Sequence, residues 1–218
     1  MTPFHGTHHP EKWLLHMAYM IKGYPLRKIA KEQEISLSTA FYWRHKVLMA
    51  LKRLPVSEFT GVLEVDETYF LESEKGNKNI KGRKPRKRGG SSQYRGISRE
   101  QTCVVVARDR SKNTLAKVAC MGPISKLKAK TVLTPYVGKV SMVCSDANGT
   151  WRVFSEERGI EHKELNLKQN RRVIQKIYHI QNVNAFHSRL KKWIDRFRGV
   201  ATKYLDKLSV VVLLPRRP

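Results

Sequence analysis

Acidic residues are scarce in this chain. Its 218 residues hold 18 Asp and Glu against 43 Lys and Arg, which gives a formal net charge of +25 and a pI near 10.3. A surplus of that size disfavours basic partners and favours nucleic acid. Long apolar runs are also missing. None exceeds five residues, whereas a membrane span needs about 20, so no membrane partner is expected. No charged-then-apolar leader opens the sequence. Cysteine is sparse: Cys103, Cys120 and Cys144 are odd in number and far apart, which rules out a disulfide framework or a four-cysteine zinc site. They read as reduced, buried thiols of a cytoplasmic protein. What is plentiful is core-forming material. Hydrophobic residues make up 40% of the chain, enough to exclude wholesale disorder. A basic binder without chemistry, of ribosomal or chromatin-like kind, is the simplest function compatible with these facts.

The charge is uneven. Residues 75–99 contain ten basic residues and no acid, while Glu58, Glu64, Asp66, Glu67, Glu72 and Glu74 crowd just before them. Residues 1–54 read as helices. Apolar residues recur at helical spacing across 12–22, Pro25 suits the start of a second helix across 26–33, and Ser38 is placed to N-cap a third, running to about residue 51. A short helix, a tight turn and a longer helix form a helix-turn-helix pattern, whose third helix would offer Tyr42, Arg44 and Lys46 to a DNA groove. The turn lacks the usual glycine, and a plain three-helix bundle fits the same periodicity.

From residue 60 the periodicity changes to two. Strands are expected over 61–70, 101–109, 114–121, 140–145 and 160–165. Helices are expected over 127–137, 150–158 and 183–198. Residues 166–182 look irregular. Three consecutive strands followed by alternating helices and strands predict an α/β fold, a mixed sheet flanked by helices. The run 75–99 joins the first two strands. Its composition forbids a core, so it is expected to be flexible. Arg83, Lys84, Arg86, Lys87 and Arg88 within it, and Arg171 and Arg172 further on, are the expected phosphate contacts.

Two carboxylates stand out. Asp66 lies on the first strand and Asp146 at the carboxyl end of the fourth. If those strands pair, the carboxylates meet at the centre of the sheet, where they repel unless a cation joins them. Hard oxygen ligands suit Mg²⁺, with Mn²⁺ as a substitute. Paired ions about 3.5–4 Å apart would clamp an in-line phosphoryl displacement. Each residue alone also fits a plainer role, Asp66 as an exposed strand residue and Asp146 as a helix cap. On the last helix Asn184 and Lys191 are two turns apart with Ser188 between. They could offer an amide oxygen to a metal and an ammonium to a phosphate, although a Lys-Lys-Trp helix is usually just solvated. His5, His8 and His9 have no cysteine or acid at ligand spacing and are not read as a metal site.

Val65-Asp66-Glu67-Thr68-Tyr69-Phe70, Cys144-Ser145-Asp146, the stretch from Tyr178 to Ser188 and that from Arg198 to Asp206 occur in this order. Together they resemble a bacterial insertion-sequence transposase of the ISXO-two-like branch, over about residues 3 to 206. The resemblance implies an RNase H-like catalytic domain of the DDE type. In many members Asn replaces the final Glu and is followed by Lys seven residues on. It thereby implies Asp66, Asp146, Asn184 and Lys191 as the catalytic set, the first three as metal ligands. It also implies terminal inverted repeats and target DNA as partners, a homodimer at synapsis, and work in the bacterial cytoplasm at the nucleoid. The expected organisation is a helical DNA-binding region over 1–54, a catalytic domain over 60–206 and an atypical tail over 207–218. Two departures stand beside it. The paired-cysteine zinc ribbon that often opens such proteins is not in this sequence, and residues 207–218 read like a frameshifted end. The chain is therefore expected to fold but to transpose poorly. A nuclease of the same fold without strand transfer, and a non-catalytic DNA-binding regulator, are the two rival functions.

Overall fold

A computed structural model of the chain describes residues 9–86, 89–165, 173–175, 177–197 and 199–209. They divide into two compact units, residues up to Pro55 together with those from Leu190 onward, and Val56–Arg189.

The first unit opens with three helices, α1 (Pro10–Ile21), α2 (Leu26–Glu32) and α3 (Leu37–Lys52). Trp13 is fully buried and stacks on Trp43 with ring centroids 4.6 Å apart. Ile29, Ala40 and Leu48 complete this small core. The cap of α3 is Ser36 rather than Ser38: its hydroxyl accepts the Thr39 N–H at 3.0 Å. Ser38 lies inside the first turn, where its own hydroxyl only reaches that of Ser36. Glu34 takes the left-handed conformation, φ +52°, that glycine usually supplies between such helices. Arg196 reaches back to donate to the Lys22 carbonyl. It passes so close to Gly23, which takes φ +75°, that a Cβ there would lie 2.6 Å from the Arg196 Cδ, so a larger residue would strain the backbone and displace Arg196. Residues 207–209, expected to begin an atypical tail, instead finish a short helix, α7 (Leu205–Ser209), with Leu205 and Leu208 buried. Residues 210–218 lie outside the described residues. Within this unit Lys52 pairs with Asp206.

His16 is fully buried and hydrogen-bonds Gln33 at 2.8 Å. Burial lowers its pKa below the usual 6.5, partly opposed by the Gln33 hydrogen bond. Below pH 6.5 the unfolded chain therefore binds a proton that the folded chain refuses. Stability is expected to be complete above about pH 6.5 and to fall as the pH drops through that value. Urea melts from pH 7.5 to 5 check this: His16→Gln should flatten the decline.

The second unit is a five-stranded sheet. Its strands are β1 (Thr60–Leu71), β2 (Gln101–Asp109), β3 (Thr114–Met121), β4 (Lys139–Asp146) and β5 (Glu161–Leu165), in the order β3-β2-β1-β4-β5. The first three are antiparallel neighbours, and β4 and β5 join parallel. A meander completed by two parallel strands at one side is the RNase H-like arrangement. Parallel strands need crossovers, which α4 (Lys126–Leu133) and α5 (Gly149–Arg158) provide. Both helices cover one face, where Trp151, Phe154, Ala129 and Leu133 pack on Leu63, Val65, Val105 and Val143. The other face carries Val62, Met142 and Cys144, packed with Leu165 and Ile180. The strand register of β1 against β4 shifts once. Gly61 pairs with Val140 and Val62 with Met142, so Ser141 is skipped, and Gly61 takes φ +62° there.

Sequence periodicity places these strands within a residue or two. The expected helix over 127–137 is shorter, because Pro135 lacks the N–H that α-helix continuation requires. A single 3₁₀ turn, Thr134–Tyr136, follows it. The last long helix, α6 (Gln181–Asp195), starts two residues earlier than expected and ends three earlier. Its residues through Arg189 belong to the sheet unit and those from Leu190 to the helical unit. No helix among the described residues is long and apolar enough to cross a membrane.

Candidate active site

Asp66 and Asp146 come from neighbouring parallel strands. The last paired residues of β1 and β4 are Glu64 and Cys144, and each aspartate lies two positions further along its strand. Strand side chains alternate faces, so both follow Val62 and Met142 onto the face away from α4 and α5. The Asp66 side chain is 16% exposed. Its Oδ1 accepts the Glu67 N–H at 2.8 Å. Asp146 Oδ1 accepts the Asn148 N–H at 3.1 Å, which turns the chain toward α5. The cap of α5 is Asn148, whose side-chain oxygen accepts the Thr150 N–H, and not Asp146.

Helix α6 lies close to Asp66. His187 Nδ1 is 3.8 Å from Asp66 Oδ2, both side chains largely buried. Asn184 is three residues before His187, one helical turn. Asn184 and Ser188 are exposed one turn apart, and the Ser188 hydroxyl donates to the Asn184 carbonyl at 3.2 Å; Lys191 is also exposed. Asn184 belongs to the sheet unit, and Lys191 falls just beyond its last residue.

Sequence reasoning alone does not single out Glu67 or His187. Glu67 points to the opposite face from Asp66, as alternation requires, yet its Oε1 accepts from the Asn148 side chain at 3.1 Å. Burial first, and then the negative charge of Asp146, push its pKa up to about 7. The signal that could have found it is the acid-acid pair in Val65-Asp66-Glu67-Thr68. For His187 the signal is its position one turn from Asn184.

Carboxylate and amide oxygens are donors of the type that could hold a hard divalent cation. Two carboxylates share a face, Asn184 is exposed on the helix whose His187 reaches Asp66, and among the described residues no Lys or Arg forms an ion pair with Asp146. Among the described residues no three His, Cys, Asp or Glu side chains converge as a closed cage. The set here is two carboxylates and an amide.

The expected DNA contacts separate. Tyr42 is 65% exposed and Lys46 is also exposed. Arg44 is not available to DNA: it is 6% exposed, donates to the Tyr24 carbonyl at 2.9 Å and stacks over the Phe197 ring. Burial lowers its pKa to about 10, which still leaves it charged. Residues 42, 44 and 46 cannot share one face of a helix, whereas 42 and 46 can. In the basic loop, Arg86 donates to the Glu72 carbonyl and pairs with Glu100 at 2.9 Å, and Arg83 reaches Glu72 at 3.5 Å. Glu100 also accepts from Ser92 and from the Gln93 N–H, so part of a loop expected to be wholly flexible is fastened internally. Lys84 is exposed. Lys87, Arg88, Arg171 and Arg172 lie outside the described residues.

A family model described as the ISXO2-like transposase domain matches residues 58–208. The chain belongs to the ISXO2-like transposase family. By that membership it is a transposase, with a sheet of the order RNase H-like enzymes share. No curated protein matches it in sequence. Among solved structures it is similar to a pre-cleavage Mos1 transpososome, at 11% identity over 96% of this chain and 77% of that one, with a TM-score of 0.30. The strand transfer complex of the Drosophila P element transposase matches at 12% identity over 92% of this chain and 55% of that one, TM-score 0.37. The Mos1 strand transfer complex matches at 11% identity over 94% and 76%, TM-score 0.29.

Proposed function

We propose that this transposase cleaves DNA at the ends of its insertion sequence and joins the freed 3′ hydroxyl to target DNA, both in the site around Asp66 and Asp146. The observation that carries the reading is the placement of these two carboxylates on one face of adjacent parallel strands, with α6 against Asp66. Asp66, Asp146 and the amide oxygen of Asn184 would hold Mg²⁺, or Mn²⁺ in its place. The bound ion supplies Lewis-acid stabilisation of charge on the phosphate. Lys191, two turns on from Asn184, would bind the phosphate being cut as a point charge. No covalent enzyme intermediate is required, because phosphoryl transfer is achieved by positioning and charge neutralisation. The exposed Tyr42 and Lys46 side of α3 would dock on DNA, with the α2-turn-α3 segment as a helix-turn-helix. The basic loop would add phosphate contacts. Two copies would act on paired ends, by analogy with other transposases, in the bacterial cytoplasm at the nucleoid.

A strand transfer assay tests this reading. Element-end duplexes, Mg²⁺ and a target plasmid should yield a joined product. Nicked ends without joining would indicate a nuclease, and DNA retention without any cutting a regulator. Asn184→Ala is expected to slow cleavage by about 10- to 100-fold and to raise the metal requirement. Lys191→Ala is expected to weaken handling of the scissile phosphate without changing the metal requirement. Full strand transfer by both variants would dismiss their assignment.

A further inference from the structure

Glu64 is fully buried, 0% exposed, at the middle of β1. A lone carboxylate there would be costly to desolvate, and the chain surrounds it. Arg110, from the turn after β2, pairs with Oε1. His179 Nδ1 lies 3.3 Å from the same oxygen. The Asn182 and Val183 N–H groups donate to Oε2 at 2.9 and 3.1 Å, and the Asn182 side chain donates to Oε1 at 2.6 Å. Arg110 also donates to the Ile177 carbonyl at 2.8 Å. The carboxylate thus accepts the otherwise unsatisfied N–H groups of the first turn of α6, where a negative charge is favoured.

This arrangement locks one end of α6 to one point of β1. Glu64 is two residues before Asp66 on the same strand face, and Asn182 is two residues before Asn184. We propose that Glu64 is the positioning residue of the active site: its buried clasp on α6 fixes the height and rotation at which Asn184 and His187 meet Asp66. The inference rests on the reading of Asn184 as a ligand. A helix held only by its apolar side, Val183 and Phe186, would be free to slide and turn by fractions of an ångström. A clasp of directional, charge-assisted hydrogen bonds removes that freedom.

The test uses Glu64→Gln, which keeps shape and removes charge, beside Asn182→Ala, which trims one donor and leaves the backbone donors in place. Two readouts need no catalysis. Amide exchange in chelated protein should quicken at least about tenfold for residues 182–184 in Glu64→Gln while β2 stays protected. Mn²⁺ alone, titrated and followed by its electron paramagnetic resonance signal, should bind roughly 10- to 100-fold more weakly to Glu64→Gln, and more weakly by a smaller factor to Asn182→Ala. High Mn²⁺ should then restore much of the cleavage lost in Glu64→Gln. If Glu64→Gln does not fold, Asn182→Ala carries the test by the same readouts. Unchanged exchange and unchanged Mn²⁺ affinity in the folded variants would overturn the clasp. Asn184→Ala is the control that separates the two readings. If it weakens Mn²⁺ binding and Glu64→Gln does not, the positioning role fails and the ligand stands. If Asn184→Ala leaves Mn²⁺ affinity intact, the ligand reading fails and this proposal falls with it, whatever the exchange data show of the helix.

Discussion

Asp66→Asn, and separately Asp146→Asn, is expected to reduce Mg²⁺-dependent cleavage by roughly a thousand-fold or more, about 4 kcal/mol of transition-state stabilisation. The replacement is nearly isosteric. An amide oxygen at position 66 can still accept the Glu67 N–H that Asp66 Oδ1 now accepts, and one at position 146 can still accept that of Asn148. The backbone at both strand ends should therefore keep its course. What disappears is one negative charge of a pair on a common face, the charge that a divalent ion would neutralise. Removing it also relieves repulsion in the metal-free protein, so the melting temperature should hold or rise slightly. DNA affinity should be unchanged. Cleavage rates on an end duplex, filter binding and a thermal melt make the decisive trio. Loss of cutting with retained binding and fold is the signature of a catalytic carboxylate. Retained cutting in either variant would dismiss the two-carboxylate site.

Deleting residues 76–94 is expected to weaken DNA binding on the order of a hundred-fold at low salt and to leave the sheet intact. The loop joins β1 to β2, whose pairing continues to Leu71 and Gln101 and is extended by a Glu72 N–H to Glu100 carbonyl bond. A short connection suffices to keep that hairpin. Arg83 and Arg86 are occupied by Glu72 and Glu100, so they contribute less to DNA than their charge implies. Lys78, Lys81 and Lys84 are exposed. If those three each neutralise one phosphate, the slope of log K against log salt becomes shallower by roughly 3. Binding isotherms across a several-fold range of salt measure it. An unchanged slope would show that the loop does not touch DNA. A fall in melting temperature of more than a few degrees would show that the Arg86 fastening matters to the fold.

Much of the sheet is legible in the sequence because strand burial writes itself into composition. Cys103-Val104-Val105-Val106-Ala107 is buried on both faces and reads as a strand without ambiguity. That Asp66 and Asp146 share a face is legible because the strand order and the two-residue alternation, both readable in the sequence, put them there. Arg44 misleads because it sits between two exposed residues in sequence while the helix turns it inward. The Ser36 cap misleads because two serines in close succession both have the right chemistry, and only the backbone decides which precedes the first turn. Glu64 is invisible as a clasp. Its partners, Arg110, His179 and Asn182, lie far along the chain, and no local pattern announces a buried acid whose compensation is built from distant segments.

The single skipped residue in β4 has a consequence for how this lineage can fail. Before Ser141 each β1 residue is matched 79 positions on, as Gly61 with Val140, and after it 80 positions on, as Val62 with Met142. The second spacing sets Asp66 level with Asp146. The first would set Asp66 level with Ser145 and turn Asp146 to the α5 side, because a one-residue slip reverses every side chain of a strand. Loss of the Ser141 codon alone would take out the bulge and leave Gly61 with Val140, Val62 with Met142 and Asp66 level with Asp146. Loss of one residue between Met142 and Asp146, with the bulge kept, would instead bring Asp146 level with Val65 and turn it to the α5 side, although every proposed ligand would still be encoded.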